Sequence, residues 1–345
     1  MVSDVLSDEY AVKSVFNESQ NLLLRRVARA LSEDSRLSVS DISKMLDISR
    51  KTVSDKIKQL ETEMGARYAI EFNERALGLV SPHLTLVKFE KKPTPEEIKG
   101  IFEKSDIPQI VATVKGNYDL LIYSNYFSDF EYAKWDKKTR IALSAYGAQW
   151  GTSELVHKQL GFFPLRQELI SKLDIKPQFK KMLEMLNENA RVSFAEISSK
   201  MGIHFNTAAY NFNRLMKKGY INRFTLAMNK PKNVTLMTFF ARYSVKEGYE
   251  SASANARKAF MDDDPDPLIS RYLITAPLIG AYDFFTLGAF DSWDAAYKHD
   301  ILYHKKIFSD YNVHMAYGEI EDVLIGRLPI RSVDTKSEYN ILRWG

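Results

Sequence analysis

Over the first seventy residues, apolar positions recur at helical spacing. In residues 17–33, Leu22, Leu23, Val27, Ala30 and Leu31 predict an amphipathic helix. A short second helix is expected from Ser40 as its cap, with Ile42, Met45 and Leu46 as the buried stripe. Asp47-Ile48 makes the turn, and Ser49 caps a third helix from residue 50 to about 64. There Val53, Ile57 and Leu60 face inward, while Arg50, Lys51, Ser54, Asp55 and Lys58 lie opposite, with Thr52 and Lys56 on the flanks. The period then shortens. Residues 84–89 alternate as a strand, and 93–104 form a helix with Thr94 as cap and Pro95 at its first position. Strands 109–114 and 118–123 flank a Gly116-Asn117 hairpin turn, followed by a helix over 127–143 and a strand over 148–155. The order is βαββαβ, the ferredoxin-like arrangement.

The pattern then repeats. Arg36-Leu-Ser-Val-Ser-Asp-Ile-Ser-Lys-Met-Leu-Asp-Ile48 recurs as Arg191-Val-Ser-Phe-Ala-Glu-Ile-Ser-Ser-Lys-Met-Gly-Ile203, and Thr52 falls on Thr207, at an offset of 155. Gly116-Asn-Tyr-Asp119 recurs as Gly280-Ala-Tyr-Asp283 at an offset of 164. Two markers in the same order mean a duplicated module. The second copy is expected to have helices over 177–186, 194–201 and 205–218, then strands over 235–243, 269–276, 282–289 and 313–323, with helices over 249–261 and 293–308. Arg223-Phe-Thr-Leu-Ala-Met reads as a short wing or linker strand. The fold class is thus α+β: two repeats, each a winged-helix-like helix-turn-helix followed by a ferredoxin-like domain. The expected boundaries are 1–70 and 80–160 for the first repeat, 161–225 and 232–328 for the second, and a tail over 329–345.

A helix-turn-helix places the N-terminal residues of its last helix at base edges in the major groove. Arg50 and Lys51 suit guanine or phosphate, and Ser54 a phosphate or base edge. With Ser49, Thr52 and Lys58 they form the first candidate DNA surface. In the second copy His204 stands where Ser49 does, Ala208, Phe212 and Leu215 form the buried stripe, and the outer face carries Phe205, Asn206, Ala209, Tyr210, Asn213 and Arg214, with Asn211 on a flank. His204, Asn206, Thr207, Tyr210, Asn211 and Arg214 are the second candidate surface. One helix offers charge, the other amides and aromatics.

The segments SVSDISKMLDISRKTVSDKIKQLE and SFAEISSKMGIHFNTAAYNFNRLMKKGYI, with GNYDLLIY and GAYDFFTL, resemble the Lrp/AsnC family of prokaryotic transcription regulators, as two members fused in tandem. The likeness covers residues 15–160 and 174–328. It implies binding to double-stranded DNA, homodimerisation through the ferredoxin-like domains, and modulation by a small effector such as an amino acid near the glycine turn. Gly116, Tyr118, Asp119, Gly280, Tyr282 and Asp283 are the candidate effector residues. A structural role competes: Asp capping the turn while Tyr packs. Siroheme decarboxylases share this architecture and give an enzymatic alternative, with Arg242, Arg257 and Arg271 as possible acid-binding groups. A low-specificity architectural DNA-binding protein is the other.

Bulk chemistry narrows this a little. The chain has 345 residues, a net charge of +4 and no cysteine, which excludes disulfides, thiol catalysis and cysteine-zinc sites. No apolar run approaches a membrane span, no signal peptide is read at the N-terminus, and a cytoplasmic, non-enzymatic protein without cofactor, metal or catalytic residues is expected. The aspartates of 262–267 read as a solvated turn, because their spacing does not match an EF-hand loop. His299 and His304 lie i, i+5, poor spacing for a shared metal.

Overall fold

The computed structural model describes residues 18–156, 163–230, 234–245, 272–290, 292–296 and 311–329. The first head consists of α1 (Glu18–Glu33), α2 (Val39–Leu46) and α3 (Arg50–Glu63). Its core joins Leu24, Val27 and Leu31 of α1 to Ile42, Val53, Ile57 and Leu60. Leu24 is buried where Leu23 is only half-buried, and the side chain of Leu22 lies outside the described residues. The cap of α2 is Ser38 and not Ser40: Ser38 Oγ accepts from the Asp41 amide while the Asp41 carboxylate accepts from the Ser38 amide. Only that pairing satisfies two orphan amides at once, and it leaves Ser40 inside the first turn. Met45 is 59% exposed, contrary to the expected stripe. On so short a helix Ile42 and Leu46, four apart, cover the face turned to the core.

The second head repeats the first with α7 (Pro177–Glu188), α8 (Phe194–Met201) and α9 (Phe205–Lys217), reached through the short α6 (Gln167–Ile170). Phe163, Leu165, Leu169 and Ile170 of this connector are buried, so it is packed structure rather than free tether. Each head is followed by a strand, β1 (Arg67–Phe72) and β6 (Ile221–Met228), and these two pair antiparallel. Periodicity leaves residues 67–72 without an element. The last four residues of β1 are all buried, so its sequence carries no alternation to read. The expected boundary at residue 70 runs through this strand. Residues 223–228, read as a wing or linker strand, join the heads to each other.

The first ferredoxin-like unit comprises β2 (His83–Lys88), α4 (Pro95–Phe102), β3 (Pro108–Gly116), β4 (Leu120–Ser124), α5 (Asp129–Leu143) and β5 (Gln149–Leu155). The second shows β7 (Thr235–Val245), β8 (Tyr272–Gly280), β9 (Phe284–Phe290), α10 (Trp293–Ala296) and β10 (Tyr311–Ile325), after which β11 (Leu328–Pro329) joins β6. The helix expected over 249–261, the acidic turn over 262–267 and the tail from 330 lie outside the described residues. The eight strands close into one barrel in the order β10-β3-β4-β2-β5-β8-β9-β7. Each unit contributes four consecutive staves, joined at two seams, β3 with β10 and β5 with β8. Of the two pairings open to such units, with each other or across two chains, these seams make the first.

Glu74, just after β1, turns its carboxyl group into one end of this barrel, where it accepts from Tyr123 Oη at 3.0 Å. Tyr123 in turn stacks on Phe163 of the connector, centroids 4.1 Å apart. Loss of water raises the Glu74 pKa from its ordinary 4.5 to about 7, against the Tyr123 and Asn125 hydrogen bonds that lower it. A raised acid pKa means the folded chain holds the proton more tightly than the unfolded chain. Stability from this group is complete below about pH 4.5 and declines as pH rises to 7, by on the order of 2–3 kcal/mol. Urea midpoints at pH 5 and pH 7.5 should therefore differ less in Glu74→Gln than in wild type. Equal differences in the two proteins would exclude Glu74 as the titrating group.

Candidate DNA-binding heads and seam cavity

Ser49 caps α3 in extended conformation, with Oγ 3.0 Å from the Thr52 amide and 2.8 Å from Thr52 Oγ1. Its hydroxyl is therefore committed to the helix start, and Thr52 is half-buried. Beyond them Arg50, Lys51, Ser54 and Lys58 are exposed on the face opposite Val53, Ile57 and Leu60. Among the described residues no carboxylate pairs with Arg50, Lys51 or Lys58, so three cations stand free to meet phosphate or guanine.

Helix α9 shares the scaffold and not the chemistry. His204 occupies the cap position without a side-chain hydrogen bond. Asn206 and Thr207 are exposed, and Phe205 and Tyr210 are 54% and 59% exposed. Arg214 is half-buried, its guanidinium 5.6 Å from the Tyr210 ring and 5.9 Å from that of Phe179. Asn211 corrects the expectation: it is 8% exposed and counts with Ala208 and Leu215 on the buried side. Helical geometry explains the difference. Asn211 follows Ala208 by three and precedes Leu215 by four, which places it on the core stripe.

The glycine turns sit on the seams. A Cβ on Gly116 would stand 2.3 Å from the Tyr317 carbonyl oxygen, and one on Gly280, where φ is +135°, 2.8 Å from that of Thr152. The Asn117 amide donates to Tyr317 O at 3.0 Å, and the Ala281 amide to Thr152 O at 3.2 Å. Each turn is thus docked on the last strand of the other unit. Asp119 Oδ2 accepts from the Phe89 amide at 2.9 Å and Asp283 Oδ2 from the Tyr243 amide at 2.8 Å, tying each turn to the end of its own unit's first strand. Asp119 also pairs with Lys88 at 3.2 Å and Lys92 at 3.5 Å. Neither carboxylate lines the cavity between the two units.

The tyrosines do. A cavity of about 340 Å³ lies between the units, lined by Lys88, Tyr118, Gln149, Tyr282 and His314 among others. The Tyr118 hydroxyl is buried and donates to Thr238 Oγ1, whose own proton goes to Gly318 O at 2.8 Å. Tyr282 is half-buried, and loss of water raises its pKa. Lys88, Gln149 and His314 were not expected from the sequence, since the cavity forms only where strands of opposite halves meet. Among the described residues no cluster of three metal-ligating side chains occurs, and no helix is long and apolar enough to cross a membrane.

Comparison with known proteins agrees with the two heads. The winged helix-turn-helix DNA-binding family matches twice, over residues 20–63 and 180–222. An HTH-type transcriptional regulator of Pyrococcus furiosus, itself uncharacterized, is 30% identical over 106 residues, which cover 30% of this chain and 70% of that protein. The chain belongs to the HTH-type transcriptional regulators. The two family matches fall one in each repeat of the chain. Among solved structures, the siroheme decarboxylase NirDL aligns over 93% of this chain and 97% of its own, at 11% identity and a TM-score of 0.49. The Mycobacterium tuberculosis leucine response regulatory protein LrpA aligns over 39% of this chain and 92% of its own, at 14% identity and a TM-score of 0.33.

Proposed function

We propose that the chain binds double-stranded DNA as a single-chain pseudo-dimer, with α3 and α9 as two unlike reading helices, and that a small effector modulates it from the seam cavity. The observation that carries the reading is the free cationic face of α3, set on a head whose duplicate lies across a shared ribbon. Arg50, Lys51 and Lys58 supply phosphate affinity, which releases counterions and falls with salt. Asn206 and Tyr210 offer amide and phenol groups suited to adenine edges, phosphate or a thymine methyl. Because the two faces differ, the preferred site is an asymmetric pair of half-sites.

Selection from a random DNA pool tests this. Two dissimilar half-sites are expected, and scrambling either should weaken binding. If neither scramble matters, sequence readout is wrong and the protein acts as a low-specificity architectural binder. Tyr210→Ala should open the footprint over one half-site only. An unchanged footprint there would assign α9 to something other than DNA.

The cavity supports the effector. Its volume lies at the small end of ligand pockets, and Lys88, Tyr282 and His314 offer partners for a compact polar molecule. An amino acid fits this size better than the polyacidic macrocycle that a decarboxylase would hold. Arg242 is exposed on β7, while Arg257 and Arg271 lie outside the described residues. Titration with free amino acids should shift the melting temperature of wild type and not of Tyr282→Ala. Siroheme absorbance changes with catalytic loss of carboxylate would instead favour the enzyme.

A further inference from the structure

Arg36 and Arg191, the residues that open the duplicated segment, make reciprocal contacts across the junction of the heads. Arg36 Nη1 donates to Ala190 O at 2.6 Å. Arg191 Nε donates to Ser35 O at 2.5 Å and its Nη2 to Leu37 O at 2.7 Å. Ser35 and Ala190 are equivalent positions of the repeat, each just before its arginine. Their amides complete the exchange, Ser35 N to Phe224 O at 3.0 Å and Ala190 N to Tyr68 O at 3.1 Å, on the two strands of the ribbon. Aromatic rings hold both guanidinium planes. Arg36 lies 5.3 Å from the ring centroids of Phe212 and Phe224, and Arg191 lies 4.2 Å from that of Tyr68. The two cations line a common cleft of about 240 Å³ with Leu37 and Ser38.

We propose that Arg36 and Arg191 are positioning residues that set the separation and angle of the two reading helices, and hence the half-site spacing the chain accepts. The proposal rests on the reading that both heads engage DNA. The bonds run to main-chain carbonyls in the loop before the second helix of the opposite head, immediately ahead of the caps Ser38 and Ser193. They therefore fix where the second helix of that head begins, whatever side chains the third shows to DNA. A planar fork anchored against a ring resists both sliding and rotation, which a lysine cannot reproduce. The β1–β6 pairing, extended only by the two-residue β11, carries a register irregularity between Glu71 and Phe72. The arginines clamp it from both sides.

The experiment uses the full chain, duplexes carrying one half-site, and a series in which the two selected half-sites are moved apart by up to about half a helical turn, a shift that puts the second on the far side of the DNA. Wild type should discriminate between the best and worst spacing by about tenfold or more, and the R36A/R191A protein by about threefold or less, the scale on which displaced contacts cost affinity. Single half-site affinities should stay within about twofold of wild type, since neither arginine lies on α3 or α9. The R36K/R191K protein should flatten the profile too, and it carries the same test if the alanine pair does not melt cooperatively. Retention of the wild-type profile overturns the proposal. So does an equal loss of affinity at every spacing, which would mean direct DNA contact or simple loss of fold. A wild type that binds single half-sites but ignores spacing also overturns it, whereas no half-site binding at all defeats the DNA reading beneath it.

Discussion

Replacing Arg50 and Lys51 together by alanine is expected to weaken DNA binding by about one to two orders of magnitude at moderate salt, the cost of one guanine fork and one phosphate contact. The slope of log affinity against log salt should become shallower by about one, because fewer counterions are released. Both side chains are exposed on the first turn of α3 and pair with no carboxylate among the described residues, so the melting temperature should stay near that of wild type. This combination separates a reading surface from a structural one. Binding and salt slope both unchanged would remove α3 from the interface.

Alanine at Gly116 should act in the opposite sense, on the fold rather than the surface. Its methyl group would stand 2.3 Å from the Tyr317 carbonyl oxygen and 2.7 Å from the Cα of Gly318. Both are main-chain atoms of β10, in register with the turn itself, Gly318 opposite Gly116. They cannot retreat without opening the β3–β10 seam. A loss on the order of 2–4 kcal/mol is expected, the range for overpacking that backbone must absorb. Urea unfolding gives the number. Stability within about 0.5 kcal/mol of wild type, the usual range for neutral surface changes, would mean that the turn is not docked as described.

Much of this architecture was legible in the residues. The α2 and α8 segments share a buried isoleucine, Ile42 and Ile197, and the third helices share the stripe Val53, Ile57, Leu60 and Ala208, Leu215, so one scaffold was recognisable twice. The glycine turns were legible too, as the Gly-x-Tyr-Asp marker that recurs at residues 116 and 280. Their partner was not. Gly116 meets Tyr317 and Gly280 meets Thr152, contacts between positions 201 and 128 residues apart. A strand edge has the same pattern whether its neighbour comes from the same chain or another. β1 was missed for a related reason: it is buried beside the opposite head and shows no alternation. The seam cavity inherits this limit, since Lys88 and His314 come together only when the barrel closes. Asn211 misled because a polar residue at a core position reads as surface.

In the proposed complex one chain supplies what a symmetric dimer supplies with two. Both seams of the barrel are closed by its own strands, and both heads are joined by its own ribbon. The most direct measurement is native mass spectrometry of the complex on a selected DNA, combined with hydroxyl-radical footprinting of the same sample. One chain per duplex with both half-sites protected is the predicted result. Two chains per duplex, each protecting a single half-site, would contradict it.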